Sequence, residues 1–510
     1  MNLTEFQNNL LGQIEALSKE GFDKDEIARL TGKTLALAGS LAKPGPGQEF
    51  FCKGNFLFDK FARFLKAKAN IKRIYGHLHI YQSGIYEPAT AALEAAMIKH
   101  IPGLSASKRL EVRKYLELLE LANTEPADAR YIAFNNGVYD IAEAKLLPFS
   151  PGRIITNKIP WNYDPAAYSK TADIVLNRLS CNDCQIRALL EEMIGYCFYR
   201  RNELGKAFIL IGDKANGKST FLSLLQSLLG EANISALDLA ELSDRFKPAA
   251  LCGKLANIGD DIGDKFVCNA SIFRKLVTGD RVAVEKKGQD PFEFNNYSKF
   301  LFSANTIPQI KDPTGAVQRR LVIIPFNASF TKTLPDGREN PNYDPYIKYK
   351  LRESGVMEYL LLLGLKGLKR LLDNRAFTAS AKVEKELYSY KVQNDSVLAF
   401  LEECQAESYQ IIGKPTREVY ERYVKFCEEE KRQLVHSNLF SKKVCNELAL
   451  QTIPKKVNSR LHRIFCEPTQ VTGVTPELQQ KENCVTVETH KLQNVKSLVT
   501  PVTPEMSIKV

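Results

Sequence analysis

The stretch "KAFILIGDKANGKSTFLSLLQSLLG", residues Lys206–Gly230, decides how the rest of the chain is read. An apolar run, Ala207–Ile211, feeds a loop with the spacing G-x-x-x-x-G-K-[ST] from Gly212 to Ser219. A segment of helical apolar spacing leaves the loop and closes at Gly230. Strand, loop and helix in that order predict a phosphate cradle rather than a chance glycine-rich turn. Gly212 and Gly217 let the backbone curl so that its N–H groups face phosphates, with Asn216 and Thr220 in the same loop, and the helix N-terminus adds its positive dipole. Lys218 is spaced to reach the β- and γ-phosphates of ATP, and Ser219 to bind Mg²⁺.

Working outward, "LCGKLANIGDDIGD" supplies an acidic pair, Asp260 to orient Mg²⁺ and Asp261 to polarise an attacking water. Asn257 and Gly259 make the strand before the pair less apolar than its role asks. In "YSKFLFSANTIPQI", the strand Phe300–Ala304 delivers Asn305, a neutral amide placed to sense a γ-phosphate, before Pro308 turns the chain away. In "GAVQRRLVIIPF", Arg319 and Arg320 precede another apolar strand, where an arginine can reach phosphates bound by a neighbouring copy.

Loop, acidic pair, asparagine and arginines fall in order from Gly212 to Arg320, and this succession resembles a superfamily 3 helicase, an AAA+ motor. The chain is similar to the helicase part of phage and plasmid primase–helicases over about residues 50 to 466, with "NNGVYDIAEAKLLPFSP" and "NDSVLAFLEE" as the flanking resemblance. The resemblance implies an ATP- and Mg²⁺-dependent replicative DNA helicase of a phage, plasmid or mobile element, working as a homo-hexameric ring. It also implies that "TGDRVAVEKKGQDPFEFNN" forms a hairpin, strands Val282–Glu285 and Phe292–Phe294, that carries Lys286 and Lys287 onto single-stranded or forked DNA. A separate primase or initiator is a further possible partner. Two alternatives stand beside this reading: an origin-binding regulatory ATPase that does not unwind, and a fused primase–helicase. No D-x-D-like acidic cluster for primer synthesis stands out before the motor.

The fold class that follows is α/β, a P-loop core of the AAA+ type with an N-terminal α+β domain and a C-terminal winged-helix-like domain. The expected divisions are a helical segment at 1–45, an α+β domain at 46–190, the motor at 191–375, a winged-helix-like domain at 385–466 and a disordered tail at 467–510. A strand, a turn at Asn136-Gly137 and a returning strand are read in "RYIAFNNGVYDIAEAKLLPFSP". From Lys414 to Cys466 there are 12 Lys or Arg against 6 Asp or Glu, an excess of +6. There "SNLFSKKVCNELAL" reads as a helix carrying Lys442 and Lys443, and "IPKKVNSRLHRIF" as a β-wing carrying Lys455, Lys456, Arg460 and Arg463 onto DNA phosphates.

The whole composition agrees with a reduced, cytoplasmic setting, such as that of a bacterial host. Eleven cysteines lack a disulfide framework, and the net charge of +11 favours a polyanionic partner. The most apolar stretch, "VMEYLLLLGLKGLKRLL", includes Glu358, Lys366, Lys369 and Arg370 and reads as a buried helix, not a membrane span. Neither a secretory leader nor a membrane partner is expected. Cys181 and Cys184 have metal-ligand spacing without a second pair, and His77 and His79 lack a nearby carboxylate or thiol, so no metal site is assigned to either. "GFDKDEIARLTGK" is read as an ordinary amphipathic helix rather than half of a helix-turn-helix.

Overall fold

The computed structural model describes residues 3–21, 23, 25–32, 47–263, 271–288, 290–308, 310, 315–457 and 460–468. The expected tail, 467–510, lies outside these apart from its first two residues. The chain divides into two compact units, Met1–Asn394 and Asp395–Val510.

At the centre of the first unit is a five-stranded parallel sheet. Its strands are β1 (Ala207–Ile211), β2 (Ile234–Ser235), β3 (Ala256–Gly259), β6 (Lys299–Ala304) and β7 (Leu321–Pro325), in spatial order β2-β3-β6-β1-β7. A separate antiparallel ribbon, β4 (Arg281–Val284) and β5 (Phe292–Asn295), leaves the chain between β3 and β6. The sheet strands are mostly apolar because both faces are covered. Phe208, Leu210, Leu301 and Ile324 enter a core with helices α1 (Cys184–Phe198), α2 (Lys218–Leu229) and α4 (Ser354–Asn374). Their alternating neighbours Ile209, Phe300, Phe302 and Ile323 enter a second core with α3 (Ser271–Thr278). That core also takes Tyr390 of α5 (Ala381–Asn394), whose hydroxyl donates to the Pro308 carbonyl at 3.0 Å.

The two interruptions in β3 have distinct structural reasons. Asn257 is fully buried and replaces missing ladder bonds: its Oδ1 accepts from Ser235 Oγ at 2.9 Å and Leu237 N at 2.8 Å, and its Nδ2 donates to Leu237 O at 2.8 Å. Gly259 makes room, since a Cβ there would stand 2.9 Å from the Phe302 ring. The strand is therefore a fully buried one despite its composition.

The long apolar stretch is indeed the buried helix α4, and no helix among the described residues is long and apolar enough to cross a membrane. It crosses α1 at glycines. A Cβ on Gly195 would lie 2.0 Å from the Gly364 carbonyl oxygen, and one on Gly367 would lie 2.4 Å from that of Glu191. Next to the crossing, fully buried Glu192 accepts from Arg370 Nε (2.6 Å), Thr378 Oγ1 (2.6 Å) and Thr378 N (2.8 Å), so its charge is compensated.

Before the sheet, residues Leu3–Lys19 and 25–32 are helical, and two three-stranded antiparallel sheets follow. In the second of these, Phe134 pairs with Gly137, so the tight turn is Asn135-Asn136, one residue earlier than the sequence reading. Gly137 instead opens the returning strand, where a Cβ would come 2.7 Å from the Leu147 carbonyl oxygen.

The described residues of the second unit form three helices, α6 (Ser396–Ala406), α7 (Thr416–Glu429) and α8 (Ser437–Glu447), followed by an antiparallel pair, β8 (Gln451–Val457) and β9 (Arg460–Cys466). Its core is built on Phe400, Tyr423, Phe440 and Phe465, with the Tyr423 and Phe440 rings stacked at 4.5 Å. Ser396 Oγ donates to Gln433 O at 2.8 Å, which leaves it to accept from the Tyr423 hydroxyl at 2.7 Å.

Gly195→Ala is expected to cost about 2–3 kcal/mol through overpacking at the helix crossing. Gly355→Ala, where a Cβ meets nothing within 4 Å, should leave stability equal or higher. Urea denaturation of the two variants checks this.

Candidate active site

Three parallel strands end side by side, and each delivers one part of the site. β1 leads into the loop, β6 into Asn305, and β3 into Asp260 and Asp261. Because β6 lies between β1 and β3, the asparagine sits between the lysine and the acids.

The loop curls through left-handed residues Ala215 (φ 59°) and Gly217 (φ 88°). A Cβ on Gly217 would strike Leu179 Cδ2 at 2.4 Å, so this glycine is required by packing as well as by conformation. Asn216 does not point into the cradle: its Nδ2 donates to the Phe326 carbonyl at 2.5 Å and pins the loop to the end of β7. Lys218 is buried and donates from Nζ to Gly212 O (2.5 Å), Asp213 O (2.8 Å) and Asn305 Oδ1 (3.1 Å). Burial holds its ammonium below the usual lysine range, while Asp213, Asp261 and Asp260 pull it back up. Gly217 caps α2 in the left-handed conformation, Phe221 N returns to Gly217 O at 2.9 Å, and Thr220 is half-buried in the first turn of α2. The N–H groups of that first turn have no acceptor within the helix, so a phosphate there would meet donors and a cation.

Ser219 Oγ donates to Asp260 Oδ1 at 3.0 Å. Ser303 donates to the same oxygen at 2.5 Å and accepts from Asp261 N at 2.8 Å. Sequence reasoning did not single out Ser303, although its place two residues before Asn305 on β6 was a usable signal. Asp261 is itself left-handed (φ 52°). The geometry thus divides the pair: Asp260 shares a corner with Ser219, and Asp261 does not. Among the described residues no group of three or more His, Cys, Asp or Glu could hold a metal alone. One carboxylate and one hydroxyl suit Mg²⁺, which is usually completed by phosphates and water.

Arg319 and Arg320 lie in a short 3₁₀ turn before β7. The Arg319 side chain is exposed, and its carbonyl accepts from Lys206 Nζ at 2.6 Å. Arg320 is half-buried, with Nη1 on Ala316 O at 2.7 Å. Lys286 and Lys287 are exposed just beyond β4, at the turn of the ribbon; β4, Arg281–Val284, begins and ends one residue earlier than expected, leaving Glu285 outside it, and β5, Phe292–Asn295, ends one residue later. Lys286 Nζ lies 5.4 Å from the Phe292 ring centroid, and Glu285 is paired with Arg245.

In the second unit Lys442, Lys455, Lys456 and Arg463 are exposed, whereas Lys443 is paired with Asp395. Arg460 opens β9, and its side chain lies outside the described residues.

Sequence reasoning also missed the root of β6. Lys299 is fully buried and donates from Nζ to the carbonyls of Tyr199 (2.6 Å), Arg201 (2.8 Å) and Tyr297 (2.6 Å), with the Tyr196 ring centroid at 4.4 Å. Burial pushes this ammonium down to about 7.

Three stretches of the chain match known families. Residues 55–195 match the family described as D5 N terminal like, and residues 392–478 match Poxvirus D5 protein-like. Residues 210–320, which hold the site, match a family of unknown function, DUF5906. Two viral proteins that are helicases by name are similar to parts of the chain. The 184R protein of Invertebrate iridescent virus 6 is 25% identical over 223 residues, 40% of this chain and 23% of that protein. The 121R protein of Invertebrate iridescent virus 3 is 24% identical over 300 residues, 53% of this chain and 32% of that protein. The chain therefore spans about a quarter to a third of the length of these relatives. Among solved structures, the apo C-terminal region of NrS-1 is similar over 80% of this chain and 98% of that one, at 14% identity and a TM-score of 0.46. The family matches and viral relatives together make this chain similar to primase–helicases of the phage and viral type.

Lys299 gives a pH dependence of known sign. The unfolded lysine titrates near 10.4, so between about 7 and 10 the unfolded chain binds more protons and stability rises with pH. Denaturation from pH 7 to 9 should show wild type gaining on Lys299→Met by up to about 1.4 kcal/mol per pH unit. At pH 9 Met should be the less stable, because buried carbonyls lose their donor.

Proposed function

We propose that this chain is the ATP-driven motor of a replicative DNA helicase of superfamily 3, working as a homo-hexameric ring on DNA. The observation that carries the reading is the convergence of Lys218 with Asn305 at 3.1 Å and of Ser219 with Asp260 at 3.0 Å, from the ends of three neighbouring strands. The loop and Lys218 would hold the ATP phosphates, and Ser219 with Asp260 would hold Mg²⁺, which supplies charge neutralisation to the phosphates when bound. Asp261 would accept a proton from the attacking water, and the Asn305 amide would hold that water and sense the γ-phosphate. Arg319, exposed where Arg320 is tied to the backbone, is the better placed to complete a neighbour's site.

Lys286 and Lys287 would grip a strand in the ring, and the second unit, with the helices and hairpin of a winged-helix module, would set Lys442, Lys455, Lys456 and Arg463 against phosphates. The exposed cations of β8 and β9 also favour a second reading, a regulatory ATPase that binds an origin without separating strands.

Strand displacement from a forked DNA with ATP and Mg²⁺ tests the proposal. Lys218→Ala should abolish it, lowering the rate at least about 100-fold. ATP hydrolysis by wild type with no strand separation would sink the unwinding reading and favour the regulatory one. Ser303→Ala should lower kcat for ATP about 10- to 100-fold by loosening Asp260 and the Asp261 backbone, with a smaller change in KM. Steady-state hydrolysis assays read that split.

A further inference from the structure

The positive charge of this chain is concentrated in two places. Residues 414–466 hold 12 Lys or Arg against 6 Asp or Glu, and residues 48–120 hold 12 against 7. Their excesses of +6 and +5 together equal the +11 of the whole chain, so the remainder, phosphate loop included, is neutral in sum. The first segment lies in the second unit, already described. The other lies in the N-terminal part, in a small core of its own around Phe50, Phe61, Leu93 and Leu116.

Three kinds of observation distinguish this region from an ordinary solvated surface. Its carboxylates are partly spent, with Glu120 on Lys66, Glu94 on Arg109 and Glu117 on Arg113. By contrast, none of Lys60, Arg63, Lys68, Lys99, Lys108 and Lys114 has a carboxylate partner among the described residues.

Three of these cations instead lie over half-buried aromatic rings. Lys108 Nζ is 5.3 Å from the Phe51 centroid and 5.6 Å from that of Phe56. Lys68 Nζ is 5.4 Å from Phe64, and the Arg63 guanidinium is 5.8 Å from Tyr115.

The cations also converge from separate helices. Phe64 and Lys68 belong to helix Phe58–Lys68, and Lys99 and His100 end helix Ala89–His100. The Phe64 and His100 rings meet edge to face at 5.0 Å. Burial, and then the charges of Lys68 and Lys99, hold His100 below its usual range, so no proton on it is needed to keep the cluster positive.

We propose that this aromatic and cationic face of residues 48–120 is a second nucleic-acid contact, one that takes single-stranded DNA or RNA by its phosphates and base faces. Cations without a carboxylate partner answer the phosphate charge, and half-buried rings beside them offer stacking surface without regard to sequence. The contact is separate from the ribbon lysines and from β8 and β9. It stands whether or not the motor unwinds, because binding is read without ATP.

The test uses the full chain and a fluorescent thirty-nucleotide oligo(dT), titrated by anisotropy across a range of NaCl concentrations without nucleotide. Removing three phosphate contacts from a single strand should lower the salt slope of log K by about 2. Lys68→Ala/Lys99→Ala/Lys108→Ala should show that drop, with affinity at least about tenfold weaker at moderate salt. The matching triple Arg variant should restore slope and affinity, which excludes misfolding as the cause. An Ala variant with wild-type slope and affinity for oligo(dT) would overturn the proposal. So would a loss confined to vesicles containing phosphatidylserine, which would mark the face as a membrane contact.

Discussion

Strand β6 is held by its own side chains at both ends, and the site depends on that. At its root, Lys299 gathers three backbone carbonyls from the chain entering the sheet and from the turn before the strand. Near its tip, Ser303 ties Asp260 and the backbone of Asp261, and the next residue but one meets Lys218. A strand so fixed cannot slide by one residue without exchanging its two buried faces, Phe300 and Phe302 for Leu301 and Ser303. Its register is therefore the register of the site. The same position in the sheet, between the strand that feeds the loop and the strand that ends in the acids, sets the distances on either side of Asn305.

Much of this was legible in the sequence because the chemistry of phosphate binding demands particular residues at fixed spacing. Gly212, Gly217, Lys218 and Ser219 cannot be moved relative to one another without losing the cradle, so a linear reading finds them. The structure brings the acidic pair and Asn305 to the same place, from 41 and 87 residues away in sequence. What the sequence concealed were groups whose partners are backbone atoms. Asn257 looked like a flaw in a strand because the Leu237 amide and carbonyl it satisfies leave no trace in a residue pattern. Lys299 drew no reading at all, because the three carbonyls it meets are equally invisible in sequence. Asn216, placed among the loop's ligand groups by spacing, is turned to Phe326 by tertiary contact.

The turn at Asn135-Asn136 shows a different limit. Asn-Gly pairs favour the turn that joins two strands, and the sequence offered one. The close approach of the Leu147 carbonyl gave Gly137 a packing task inside the strand and moved the turn back by one residue. Charge offers a third case. The basic wing drew attention because its lysines and arginines stand close together in sequence, whereas the cations of residues 48–120 are spread along three helices and meet only in the fold. Counts along the sequence locate the charge, and the structure shows which of these cations stand over aromatic rings.

The left-handed backbone of Asp261 bears on how this site can change over time. Asp, Asn and Gly enter that conformation at little cost, while β-branched side chains do so only under strain. Substitution at position 261 is thereby channelled. The chain can exchange the acid for its amide or for no side chain at all and keep its shape, losing only the carboxylate. A descendant that had given up its chemistry would be expected to reveal it first at this residue, with the strands, the loop and Ser303 still in place around an inert copy of the site.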